Sequence, residues 1–105
     1  MSQPEATASS VLPSWVDSAL FKGMLRGIER ESLRMQSNGF LSQNNHPRAL
    51  GSALTHPHIT TDYSEALMEF ITPPQKSITE ALAYLKDIHA VANRHLEHDD
   101  KLWPL

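Results

Sequence analysis

The chain has no cysteine in its 105 residues, which excludes disulfides and thiolate metal sites. A basic excess is equally missing. Nine Lys and Arg stand against twelve Asp and Glu, the formal net charge is −3, and the basic residues are scattered along the chain. That balance offers no electrostatic attraction to nucleic acid or to an anionic membrane surface. No apolar run approaches the roughly 20 residues of a membrane span. The opening MSQPEATASS has neither a basic start nor an apolar run, so it does not read as a secretory leader. Together these absences predict a cytoplasmic protein with no nucleic-acid or membrane partner. What remains, 40% hydrophobic and 20% charged, is the make-up of one small globular domain with a modest core.

Residues 1–12 read as a flexible tail. A short helix is expected from Ser14 to Phe21, with Trp15, Ala19 and Leu20 on its apolar face and Gly23 ending it. From Met24 to Met35 two readings compete. A helix would line up Leu25, Ile28 and Ser32. A strand would put Leu25, Gly27, Glu29, Glu31, Leu33 and Met35 on one row, with Arg26, Arg30 and Arg34 on the other. Asn38-Gly39 follows closely, a strong hairpin signal, and it favours the strand. Residues 44–58 are rich in turn formers, with room for a short helix around Arg48 to Leu54. Ser64 to Thr72, closed by Pro73-Pro74, is a second strand whose two rows are both apolar, which predicts burial on both faces. The clearest element comes last. Ser77-Ile78-Thr79-Glu80 is a capping box, and Ile78, Leu82, Leu85, His89, Ala92 and Leu96 recur behind it at helical spacing.

The acids stand out against this pattern. Glu29 and Glu31 occupy the otherwise apolar row of the first strand, and Glu69 lies inside the second. A carboxylate on an apolar face costs several kcal/mol, roughly, unless it is paired or bound to a cation. Were the two strands neighbours, the three acids would also repel one another. Arg30 and Arg34 point to the opposite face and cannot offset them, whereas a hard divalent cation such as Mg²⁺ can. Glu-X-Glu pairs also occur on solvated helices, and that reading stands beside the metal one. His56-Pro57-His58 reads as a solvated loop pair, and His89 as a core or interface histidine. Tyr63, beside Asp62, reads as a packing aromatic or as the wall of a substrate pocket.

Three stretches, LRGIERESLRM, HPRALGSALTHPHITTDYSEALMEFITP and DDKLWPL, resemble the N-terminal part of the proteobacterial-type glutamate–cysteine ligases. The resemblance covers nearly everything after the first ten residues. It implies an α+β fold, the N-terminal part of a glutamine-synthetase-like carboxylate–amine ligase with antiparallel strands and flanking helices. Residues 13–105 would be the N-terminal portion of the catalytic domain.

The implied reaction joins the γ-carboxylate of L-glutamate to the amine of L-cysteine through a γ-glutamyl phosphate, with ATP as co-substrate and Mg²⁺, or Mn²⁺ in its place, as the metal. The product, γ-glutamylcysteine, opens glutathione biosynthesis. By the same resemblance Glu29, Glu31, Asp62 and Glu69 are metal ligands, and Tyr63 lies at the cysteine-side pocket. No residue of this stretch is assigned as catalytic. Members of the family are several times longer, so the chain is expected to need the remainder of a ligase and to be inactive alone. The alternative is a non-catalytic metal- or glutamate-binding module derived from such an enzyme.

Overall fold

The computed structural model describes residues 11–104, so most of the expected tail lies outside the described residues. Four strands form one antiparallel sheet: β1 (Glu29–Met35), β2 (Ile59–Thr61), β3 (Leu67–Ile71) and β4 (Lys101–Pro104), in the order β2-β3-β1-β4. A single long helix, α1 (Ile78–Arg94), covers one face. The expected α+β arrangement of antiparallel strands with helical cover is what the chain adopts.

The strand reading of residues 24–35 holds from Glu29 onward, and β1 lies beside β3. Asn38-Gly39 does turn the chain. Gly39 sits at φ +87°, in the left-handed region that glycine adopts without steric cost, and Gln36 N donates to Phe40 O at 2.7 Å. The returning arm is a single bridge at Met35 and Leu41 rather than a strand.

Which row of β1 faces the core is the reverse of what its apolar odd positions suggest. Facing residues of an antiparallel pair lie on one side of the sheet. Arg30 faces Phe70 and Ser32 faces Met68, while Glu31 faces Glu69. Met68 and Phe70 are fully buried under α1 with Ile59, Leu50, Ile88 and Ala92. The arginine row therefore belongs to the core side, and the glutamate row belongs to the open side.

This inversion is tolerated because both terminal nitrogens of the deepest arginine are partnered, one of them by a carboxylate, although its Nε is buried without a partner. Arg34, 1% exposed, donates to Asp100 Oδ2 at 3.1 Å. It also donates to the carbonyls of Asn44 (2.8 Å), Glu65 (3.0 Å) and Asn45 (3.3 Å). Asp100 in turn accepts from Ser42 Oγ at 2.6 Å and from Asn44 Nδ2 at 3.2 Å. A buried charge with a counter-ion and satisfied hydrogen bonds is admissible in a core; an unpaired one is not.

The other departures follow from what covers each element. β3 is buried on one face only, because Leu67, Glu69 and Ile71 look onto the side α1 does not cover and stay half-exposed. The helix expected over Ser14–Phe21 shrinks to a 3-10 turn at Ser18–Phe21, capped by the Asp17 carboxylate, and Trp15 lies outside it, exposed. The helix expected over Arg48–Leu54 is one turn, Arg48–Leu50. α1 begins as its capping box implies, with Ser77 Oγ accepting from Glu80 N at 3.1 Å. Its core stripe is rotated from the expected one: Ala81, Ile88 and Ala92 are buried, whereas Ile78 and Leu82 are exposed. His89 is half-buried with its ring edge-on to Phe70 at 5.6 Å, a core-edge histidine as read from the sequence. Among the described residues, no helix is long and apolar enough to cross a membrane.

Candidate metal centre

The open face of the sheet carries the acids. β1 and β3 set Glu31 directly across from Glu69, an arrangement that repels in a plain antiparallel pair. β2 sets Thr60 across from Glu69 on the other side, and the chain leaves β2 at Asp62. Asp62 N donates to Leu67 O at 3.1 Å, so the β2–β3 connection closes tightly beside Glu69. One carboxylate oxygen from each of Glu31, Asp62 and Glu69 lies within 4.8 Å of the others. Of the four acids expected as ligands, Glu31, Asp62 and Glu69 lie close together and Glu29 falls outside that group.

Glu29 sits at the rim, two residues from Glu31 on the same row and across from Ile71. It falls outside the set within 4.8 Å but lies close enough to act on the Glu69 carboxyl. Burial first, and then the negative charges of Glu29, Asp62 and Glu31, push the Glu69 carboxyl above its ordinary value. Among the described residues, none of these acids is in an ion pair. The arginines nearest in sequence lie on the other face. An all-oxygen, anionic donor set with no cationic side chain is what a hard divalent ion takes, and the residues present fit Mg²⁺ or Mn²⁺.

Tyr63 is 99% exposed, so it is not a packing aromatic. His56 and His58 are half-buried and hydrogen-bonded rather than free in solvent, and they are not clustered with the acids. His56 Nδ1 accepts from the backbone N–H of His58 and of Ile59, both at 3.0 Å. His58 Nδ1 lies 2.9 Å from Ile71 O and its Nε2 lies 3.2 Å from Tyr84 Oη. A carbonyl can only accept, so Nδ1 carries the proton and Nε2 accepts from the tyrosine. The pair pins β2 to β3 and to α1.

Sequence reasoning missed β2, β4 and the Arg34–Asp100 network. β2 is three residues long inside a turn-rich tract, and β4 has only Leu102 and Trp103 as large apolar residues. For the network the only signal available was an arginine in a strand that needs an acid, and Asp100 is 66 residues away.

The described residues form an antiparallel sheet covered by a helix on one face. Two solved structures share the arrangement. The glutamate–cysteine ligase of Francisella tularensis, in complex with AMP, superposes with a TM-score of 0.73 at 43% identity, over 78% of this chain and 17% of that one. A bifunctional glutathione synthetase from Pasteurella multocida superposes with a TM-score of 0.74 at 34% identity, over 80% of this chain and 12% of that one. The family described as glutamate-cysteine ligase matches residues 11–105, and the chain belongs to that family. The glutamate–cysteine ligase of Alcanivorax borkumensis is 54% identical over 86 residues, 82% of this chain. The chain spans 16% of that relative's length.

Proposed function

We propose that the chain provides the acid-bearing part of a ligase joining the γ-carboxylate of L-glutamate to L-cysteine at the expense of ATP. The observation that carries this reading is the convergence of Glu31, Asp62 and Glu69 on the open face of a fold held in common with glutamate–cysteine ligases. The AMP in the Francisella tularensis structure supports a nucleotide co-substrate.

In this reading Glu31, Asp62 and Glu69 hold Mg²⁺, with Glu29 at the rim as a further ligand. Bound there, the ion neutralises charge on the transferring phosphoryl group, which is most of what phosphoryl transfer asks of a protein. The chain's own part is to keep three carboxylates within one ion's reach on paired strands. It also keeps the guanidinium groups of Arg30 and Arg34 on the far face, where they do not compete. Tyr63, projecting beside Asp62, is the residue positioned to meet the cysteine side chain. The setting proposed is the cytoplasm, and the remainder of a ligase polypeptide completes the nucleotide and amino-acid pockets.

Two measurements test this. Mn²⁺ titration followed by electron paramagnetic resonance is expected to give binding that weakens at least tenfold in Glu31→Gln and in Glu69→Gln. Equal affinity in all three proteins would remove the metal centre. Steady-state ADP release with glutamate and cysteine is expected to be absent for the chain alone, and turnover would refute the need for further polypeptide.

A further inference from the structure

Asp62 reaches the acids from the end of β2, which is three residues long and pairs, among the described residues, with β3 alone. What fixes the register of so short a strand decides where Asp62 falls. Ile71 N donates to His58 O at 2.9 Å and Asp62 N to Leu67 O at 3.1 Å, with Thr60 facing Glu69 between them. Facing pairs of this kind exchange both bonds, so His58 N would return one to Ile71 O. Instead the His58 N–H turns to His56 Nδ1 at 3.0 Å, and the His58 ring donates to Ile71 O at 2.9 Å in its place. His56 Nδ1 also accepts from Ile59 N at 3.0 Å. Ile59 faces Phe70 at the alternate kind of position, where the N–H points away from β3. It is 2% exposed, and a buried donor left unmet is costly. Pro57 has no N–H, so the His56 imidazole meets every backbone donor of residues 57–59.

We propose that His56 is a positioning residue for the metal centre: its Nδ1 lone pair, shared by two backbone N–H groups, fixes β2 in the register that sets Asp62 beside Glu69. The proposal rests on the metal-centre reading above. His56 acts through His58. With its backbone N–H taken, His58 presents its ring to Ile71 O and, at 3.2 Å, to Tyr84 Oη of α1. A slip of β2 pulls that ring off both partners. The smallest slip that keeps each face of β2 where it is moves the strand by two residues, about 6–7 Å. The three carboxylates now offer oxygens within 4.8 Å of one another, so such a slip takes Asp62 out of the set.

Mn²⁺ titration by electron paramagnetic resonance is run on His56→Phe and His56→Asn, well below their melting temperatures. Phenylalanine keeps a ring and loses the acceptor. Asparagine puts an amide oxygen where Nδ1 stood, and an asparagine oxygen accepts readily from the N–H two residues on. Affinity is expected to weaken at least tenfold in His56→Phe and to return to within about twofold of the native chain in His56→Asn. Native affinity in His56→Phe, even with a lowered melting temperature, would make the imidazole a structural group only and overturn the proposal. An asparagine variant as weak as the phenylalanine one would overturn it equally.

Should His56→Phe not fold, His56→Asn is still expected to bind Mn²⁺ as the native chain does, and a tenfold loss refutes the proposal. A second measurement needs no variant and no metal. Long-range nitrogen–proton correlation spectra of the native chain are expected to show the His56 proton on Nε2 and the His58 proton on Nδ1. A proton on Nδ1 of His56 removes the shared acceptor and the proposal with it. Binding lost in Glu31→Gln but unchanged in His56→Phe sinks the role of His56 alone. Binding indifferent to Glu31 and Glu69 sinks the metal centre, and that role falls with it.

Discussion

Glu69 is held in an environment that disfavours its own charge. Its carboxyl is raised by burial first and then by three neighbouring acids, so the folded chain keeps a proton that the unfolded chain releases near the ordinary value of 4.5. Between that value and the raised one the native state binds more protons, so without metal the group's contribution to stability falls as the pH rises. Glu69→Gln is therefore expected to raise the metal-free melting temperature at pH 7 while lowering Mn²⁺ affinity, a pairing that scanning calorimetry and titration read together. Saturating Mg²⁺ should reverse the pH trend for the native chain and leave the variant unaffected. Asp100→Ala is the opposite kind of change. It strands the Arg34 guanidinium at 1% exposure and is expected to cost about 3–5 kcal/mol in urea denaturation.

Among the elements, α1 was the most legible, because its cap and its period are both local. Ser77→Ala removes one hydrogen bond to Glu80 N and is expected to cost about 1 kcal/mol, read from the midpoint of a urea curve. Ile78 and Leu82 misled because an apolar residue at helical spacing does not reveal how wide the covered stripe is, and both are exposed. β1 and β3 could be read from alternation together with the Asn38-Gly39 turn, and their acids could be singled out. Which face was buried could not be read, since that depended on Asp100, far away in sequence, to neutralise Arg34. β2 and β4 are too short to carry a periodic signal of their own and exist because a partner strand holds them. Of the candidate site, Glu31 and Glu69 stood out from the strand pattern, whereas Asp62 was legible only through the family resemblance. The histidine pair was not legible, because its hydrogen bonds run to Ile71 and Tyr84.

As a whole molecule, the chain presents two open edges, β2 and β4, and exposed apolar residues between Val11 and Leu25. Unpaired edges and exposed apolar surface drive association. Sedimentation velocity is expected to show concentration-dependent self-association of the chain alone through these open edges. Behaviour as a single monomer across the micromolar range would contradict it. The Arg34–Asp100 contact has a further consequence at this scale. Side chains alternate along a strand, so a slip of β1 by one position would carry every glutamate inward and every arginine outward. Only one alignment lets the guanidinium meet its carboxylate beneath the sheet. That ion pair thus acts as a keyway, locking from the core side where the acids on the opposite surface come to rest.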